Sequence, residues 1–133
     1  IATIKFPISD EKSREITFIS THLSVNSREA RLRSVELIGK AASTAGTPVL
    51  LAGDINASPN SQTLKALYSQ GWLNPARDKP IQTIPVKINS KNGRQIDYVF
   101  QFNSKWEATK LGTEISDRSA SDHLPYFVTF KLD

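Results

Sequence analysis

The sequence predicts an α/β fold, a mixed β-sheet with helices on one face. Three observations predict it. Short segments rich in β-branched and aromatic residues outnumber helical ones. An amphipathic segment joins two of those strand-like segments. Pro48–Ala52 (PVLLA) is a continuous apolar run, the mark of a strand covered on both faces. The 133 residues suit one domain, and a chain of that size buries roughly two-thirds of its unfolded surface.

Each element has its own signal. IATIKF (1–6) and EITFIST (15–21) flank the polar stretch PISDEKSR and read as a β-hairpin. From Ser27 to about Thr44 the period becomes helical. Val35, Ile38, Ala41 and Ala42 share one face, and Glu29, Arg33, Glu36 and Lys40 look outward. Arg31 breaks the pattern, falling on the apolar face. Ser27 suits the N-cap, and Gly46 lies just past the end. After the apolar run comes the tip GDIN, then a short amphipathic helix over 61–69. Residues 71–83 read as irregular. Gln95–Phe102 (QIDYVFQF) alternates and reads as a strand, as do 105–114 and 126–132. No repeat, low-complexity tract or linker divides the chain. It starts inside a strand-like segment, without methionine or a signal-peptide pattern, so a piece of a longer protein is expected.

Composition excludes more than it assigns. There is no cysteine, so disulfides and thiolate metal sites are ruled out. No apolar stretch approaches the roughly 18 residues of a membrane-spanning helix. The hydrophobic fraction of 38% and charged fraction of 23% are ordinary for a globular domain. The net charge of +4 suits an anionic ligand without specifying one.

Chemistry-bearing residues gather at strand ends. Thr21 and His22 follow FIS, and Asp54 and Asn56 follow VLLAG. Asp97 lies inside QIDYVF, and Asp122 and His123 stand before the last strand in SASDHLPYF. Ligands of open sheets bind outside strand ends. Each residue also has a plain structural reading. Gly53-Asp54 alone is equally a turn, with Asp54 bonded to nearby backbone. A lone His22 is more often a satisfied, half-buried histidine, and Asp122 alone is a loop cap. Asp97 resists such a reading, because a carboxylate among Ile96, Val99 and Phe100 is costly unless paired.

In this order and at these intervals, THL, GDIN, QIDYVF and SDHLPY resemble the endonuclease/exonuclease/phosphatase superfamily, and the motifs span Thr21 to Tyr126. Ile55 stands where Phe or Leu is usual and Leu124 where an aromatic is common; neither position touches the chemistry. The resemblance implies phosphate-ester hydrolysis by an in-line water, assisted by Mg²⁺ or Mn²⁺, hard cations that take oxygen ligands. It implies Asp122 as a metal ligand and Asp54 as the group that orients and deprotonates the water or holds a metal. Asn56 would aim its amide at the phosphate. His123 would contact the phosphate as general base or electrostatic stabiliser, with Asp97 accepting its other ring N–H. His22 would bind the scissile phosphate from the opposite side.

The resemblance covers only half of the family's four-layer α/β sandwich. Residues 1–133 correspond to the C-terminal half. The absent N-terminal half would supply an asparagine and a principal glutamate metal ligand. The fragment is therefore expected to be inactive, and its parent to be an active phosphoesterase. The alternative is a non-catalytic binding or interaction domain that retains the fold. The substrate stays open among lipid head groups, sugar phosphates and nucleic acids. Lys87, Lys91 and Arg94 form a loose cationic cluster in the 83–95 loop, where substrate choice is expected.

Strand alternation points Val49 and Leu51 to one face and Leu50 to the other. Ile16 and Phe18 likewise oppose Thr17 and Ile19. One sheet face is therefore expected to lack helices. It would be covered by the missing half or by self-association.

Overall fold

The structure, a computed structural model, describes residues 1–9, 12–84, 93–114 and 119–132. Lys87 and Lys91, with most of the 83–95 loop, lie outside the described residues. Strands β1 (Ala2–Ser9) and β2 (Lys12–His22) form the expected antiparallel hairpin, longer at its turn end than the sequence pattern suggests. Helix α1 (Arg28–Thr44) crosses over to β3 (Val49–Asp54), which lies parallel to β2. Helix α2 (Gln62–Ser69) and an irregular stretch lead to β4 (Asp97–Phe102), antiparallel to β3. The sheet order is β1-β2-β3-β4, a mixed sheet of four strands. Strands β5 (Glu107–Thr113) and β6 (Tyr126–Lys131) do not extend this sheet but pair with each other in a separate antiparallel ribbon.

Both helices start where their serines stand. The Ser27 hydroxyl accepts the Ala30 N–H (3.1 Å), and the Ser61 hydroxyl accepts the Leu64 N–H (3.3 Å). These bonds satisfy amides that a helix leaves unpaired at its first turn. The core lies between the sheet and the helices. Ile19, Val49, Leu51 and Phe100 meet Val35, Ala42, Leu64, Leu67 and Trp72 there. Thr17 sits on the same sheet face, 4% exposed. Its hydroxyl is placed within hydrogen-bond distance of both Thr3 (2.9 Å) and Thr47 (2.8 Å), which makes its burial tolerable.

The opposite face carries Ile4, Ile16, Phe18, Leu50, Ala52 and Val99, as register and alternation require. It is covered in part. The Gln101 carboxamide receives the Trp106 N–H (2.9 Å) and donates to the Trp106 carbonyl (3.0 Å), binding the start of the β5–β6 ribbon to this side. Away from the ribbon, Phe18 is 38% and Ile4 49% exposed.

Candidate active site

The site begins with register. His22 on β2 stands opposite Asp54 on β3, and Asp54 stands opposite Asp97 on β4. All three side chains therefore project from the face away from the helices, in one row at one end of the sheet. The row's backbone is tied beyond the last strand residues. The Leu23 N–H donates to the Asp54 carbonyl (2.9 Å), and the Ile55 N–H donates to the Ile96 carbonyl (2.8 Å). Gly53 makes the close β2–β3 approach possible. It has φ +144°, and a Cβ there would collide with the Thr21 carbonyl.

Asp54 uses its two oxygens differently. Oδ1 accepts the Asn56 N–H (2.7 Å), closing a turn in which Asn56 adopts φ +50°. Oδ2 faces two imidazoles, His22 Nε2 at 3.5 Å and His123 Nε2 at 4.0 Å. His123 reaches the row from the loop before β6. Its Nδ1 lies 2.9 Å from Asp97 Oδ2. A carboxylate only accepts, so Nδ1 carries the proton. In the neutral ring, Nε2 is then an acceptor facing Asp54. The buried-strand carboxylate thus has the partner its position demands.

The six residues singled out from the sequence do not all converge equally. Asp54, Asp97 and His123 bring one ligand atom each to within 4.8 Å of one another. His22 joins them through Asp54, with 72% of its side chain exposed. Asn56 is next to the row, but its carboxamide N–H donates to the Leu23 carbonyl (2.9 Å), tying the β3 tip to the end of β2. Asp122 is exposed and stands outside that close group.

As a cation site the set is partial. Asp97 Oδ2 and His123 Nδ1 face each other at 2.9 Å, and the carboxylates at hand are those of Asp54, Asp97 and the exposed Asp122. A divalent cation such as Mg²⁺ wants about six oxygens, several of them water.

Beside the row, a cleft of about 230 Å³ is lined by Ala52, Gly53, Asp97, Val99, Leu124 and Tyr126, among others. A larger surface cleft of about 320 Å³, between Lys65, Tyr68 and Arg77, shares no residue with the row. The carboxylate and imidazole row borders the former. Buried polar residues hold the row from behind, and no periodicity in the sequence marks them. The Gln95 carboxamide accepts the Ile81 N–H (3.0 Å) and donates to the Asp97 carbonyl (3.3 Å). The Tyr98 hydroxyl lies 2.9 Å from the Ala57 carbonyl and 3.0 Å from that of Gln95. Burial pushes this hydroxyl's pKa far up, with smaller contributions from Tyr68, Asp97 and Tyr126, so it remains a donor.

A mixed sheet layered by helices, with carboxylates and imidazoles at its strand ends, defines the class: an α/β domain with a rim site. Residues 4–123 match the Endonuclease/Exonuclease/phosphatase family, and the chain belongs to that family. No curated protein sequence matches it. Among solved structures, it is similar to a mannosyl-6-phosphatase of Bacteroides thetaiotaomicron, with TM-score 0.72 and 22% identity over 90% of this chain and 52% of that one. A family protein from Leptotrichia buccalis superposes with TM-score 0.74 and 18% identity, over 98% and 53% of the two chains. D. rerio TDP2, solved with a single-strand DNA product, gives TM-score 0.68 and 13% identity over 92% and 58%. These likenesses show the fold, and the chain spans about half the length of the first two, at 52% and 53%. Among the described residues, no helix is long and apolar enough to cross a membrane.

Proposed function

We propose that this chain is the C-terminal half of a phosphoesterase domain, whose N-terminal half lies in sequence outside these residues. The observation that carries the reading is the His22–Asp54–Asp97 row with His123 bonded to Asp97 at 2.9 Å. Asp54 Oδ2 and His123 Nε2, 4.0 Å apart, are both acceptors when the ring is neutral. A water seated between them donates to both and is oriented for in-line attack on phosphorus. Asp54 takes its proton as the P–O bond forms, and the ester oxygen leaves on the far side. Asp97 holds the His123 ring so that Nε2 faces the reacting centre. The exposed His22 reaches the scissile phosphate from the β2 side. The second N–H of the Asn56 carboxamide is left for a phosphoryl oxygen.

Asp54 and Asp122 would hold Mg²⁺ or Mn²⁺ together with oxygen ligands from the other half. When bound, the cation supplies charge stabilisation at the phosphoryl oxygens. Substrates are phosphate esters of sugars, nucleic acids or lipid head groups. A mannosyl-6-phosphatase and TDP2 bound to a DNA product, both on this fold, support the first two classes.

The test is hydrolysis of aryl phosphate mono- and diesters by the longer protein, with and without a chelator. Metal-dependent turnover is expected there and none from the 133-residue chain alone. Asp54→Ala and His123→Ala should each lower kcat by about 10²–10⁴-fold with little change in KM. Wild-type turnover by either variant would refute the assigned roles. A folded longer protein without turnover on any ester would leave a binding domain.

A further inference from the structure

We propose that Thr83 is the positioning residue that holds Asp97 and His123 together, an inference that rests on reading those two as partners in the reaction. They lie 26 residues apart on separate segments, yet their side chains meet at 2.9 Å. A bond of that length forms only if the two segments are held close enough for both side chains to reach it. Thr83 touches both. It is fully buried, at 0% exposure. Its Oγ1 accepts the N–H groups of Ile96 and Asp97, each at 3.1 Å, so both lone pairs of the hydroxyl are used at the start of β4. Its carbonyl accepts the N–H of Leu124, the residue after His123, at 2.7 Å. Its own N–H donates to the Arg94 carbonyl at 3.0 Å. One residue thus fastens the amide of the carboxylate-bearing residue and the amide next to the imidazole-bearing residue.

Three neighbouring interactions do not span the gap. The Ser121 hydroxyl accepts the His123 N–H (3.0 Å), but both belong to the same loop. Gln95 reaches the Asp97 carbonyl, also from its own segment. The β5–β6 ladder holds Tyr126 against Thr113, within the ribbon. Valine fits the space of threonine but has no acceptor. It would leave two buried amides unsatisfied, one of them on Asp97 itself. Serine keeps the acceptor and loses only a methyl group.

The proposal is tested by NMR on the 133-residue chain, reading the His123 ring Nδ1–H resonance, which a hydrogen bond to carboxylate moves downfield. Thr83→Ser should keep that resonance. Thr83→Val should lose it, as should Asp97→Ala, which has no acceptor. In the longer protein, Thr83→Val should lower kcat at nearly constant KM, and Thr83→Ser should restore it. A folded Thr83→Val with an unchanged ring resonance overturns the proposal.

If Thr83→Val does not fold, amide exchange on the unmodified chain decides. A shared clamp makes the Asp97 and Leu124 amides open together, with protection agreeing within about twofold. Protection differing by more than about tenfold means that they open separately, and the clamp is refuted. A ring resonance that responds to Thr83→Val in a protein hydrolysing no phosphoester leaves the clamp standing and removes only the proposed function.

Discussion

Asp54 is both the turn residue and the candidate reactive group, because its two oxygens face different ways. Oδ1 closes the turn on Asn56, and Oδ2 faces the imidazoles. Asp54→Asn keeps an acceptor for the turn. Its stability should stay within about 1 kcal/mol of the parent in urea denaturation, while turnover in the longer protein collapses. Gly53 separates backbone from chemistry in the other direction. Gly53→Ala forces a side chain onto a positive φ and against the Thr21 carbonyl, at a cost of about 1–3 kcal/mol or more. The urea midpoint should fall, and the His22–Asp54 register with it.

Tyrosines add a pH signature. Among the described residues the buried Tyr126 hydroxyl has no hydrogen-bond partner, and burial raises its pKa to about 12. The folded state therefore holds the proton more tightly than the unfolded chain, whose tyrosine titrates near 10. The resulting stability is fully present below pH 10 and is lost as pH rises toward about 12. Tyr98 shifts in the same direction. Tyr126→Phe should flatten the alkaline limb of a stability-versus-pH curve, as measured by chemical denaturation.

At the scale of elements, the caps and one awkward arginine set the frame. Ser27→Ala removes the acceptor for the Ala30 N–H and should cost about 1 kcal/mol of stability. Arg31, whose spacing places it on the apolar side of α1, has a reason to be there. Its Nη1 donates to the Ser24 carbonyl (2.7 Å) and the Val25 carbonyl (3.0 Å), in the loop that follows His22. The arginine thus binds the helix to the segment leaving the site row. Arg31→Leu suits the apolar surroundings but cannot bridge the loop. Faster amide exchange is expected in residues 23–26, with the core strands unchanged.

For the whole molecule, the face away from the helices decides behaviour. Phe18 and Ile4 remain 38% and 49% exposed on it, and the β5–β6 ribbon covers only the β4 side. Such an apolar surface favours burial by a second sheet. In light scattering after size exclusion, the 133-residue chain should exceed monomer mass, as a two-fold dimer stacked sheet on sheet or by retaining the other half as a separate chain. Substituting Phe18 by a charged residue should restore a monomer. A monodisperse monomer of the unmodified chain would mean that the face is covered otherwise and would remove the half-sandwich proposal.

Local signals in the sequence were enough for the hairpin, both helices, the Ser27 cap, the apolar strand and the acid- and imidazole-bearing strand ends. Period, β-branching and cap chemistry act between near neighbours, and a short window of sequence carries them. The need of Asp97 for a partner was also legible, because burying an unpaired charge is costly wherever the chain runs. The resemblance named His123 as that partner, and the structure brings the two side chains to 2.9 Å. Tertiary structure alone decided that Asp54 stands between two imidazoles. It also decided that Asn56 ties down Leu23, that Asp122 lies outside the close group, and that β5 and β6 leave the main sheet. These outcomes depend on strand register and on hydrogen bonds between residues far apart in sequence. Thr83 is the clearest case. It has no charge and no periodic neighbours, and its meaning arises only when folding brings residues 96, 97 and 124 around it.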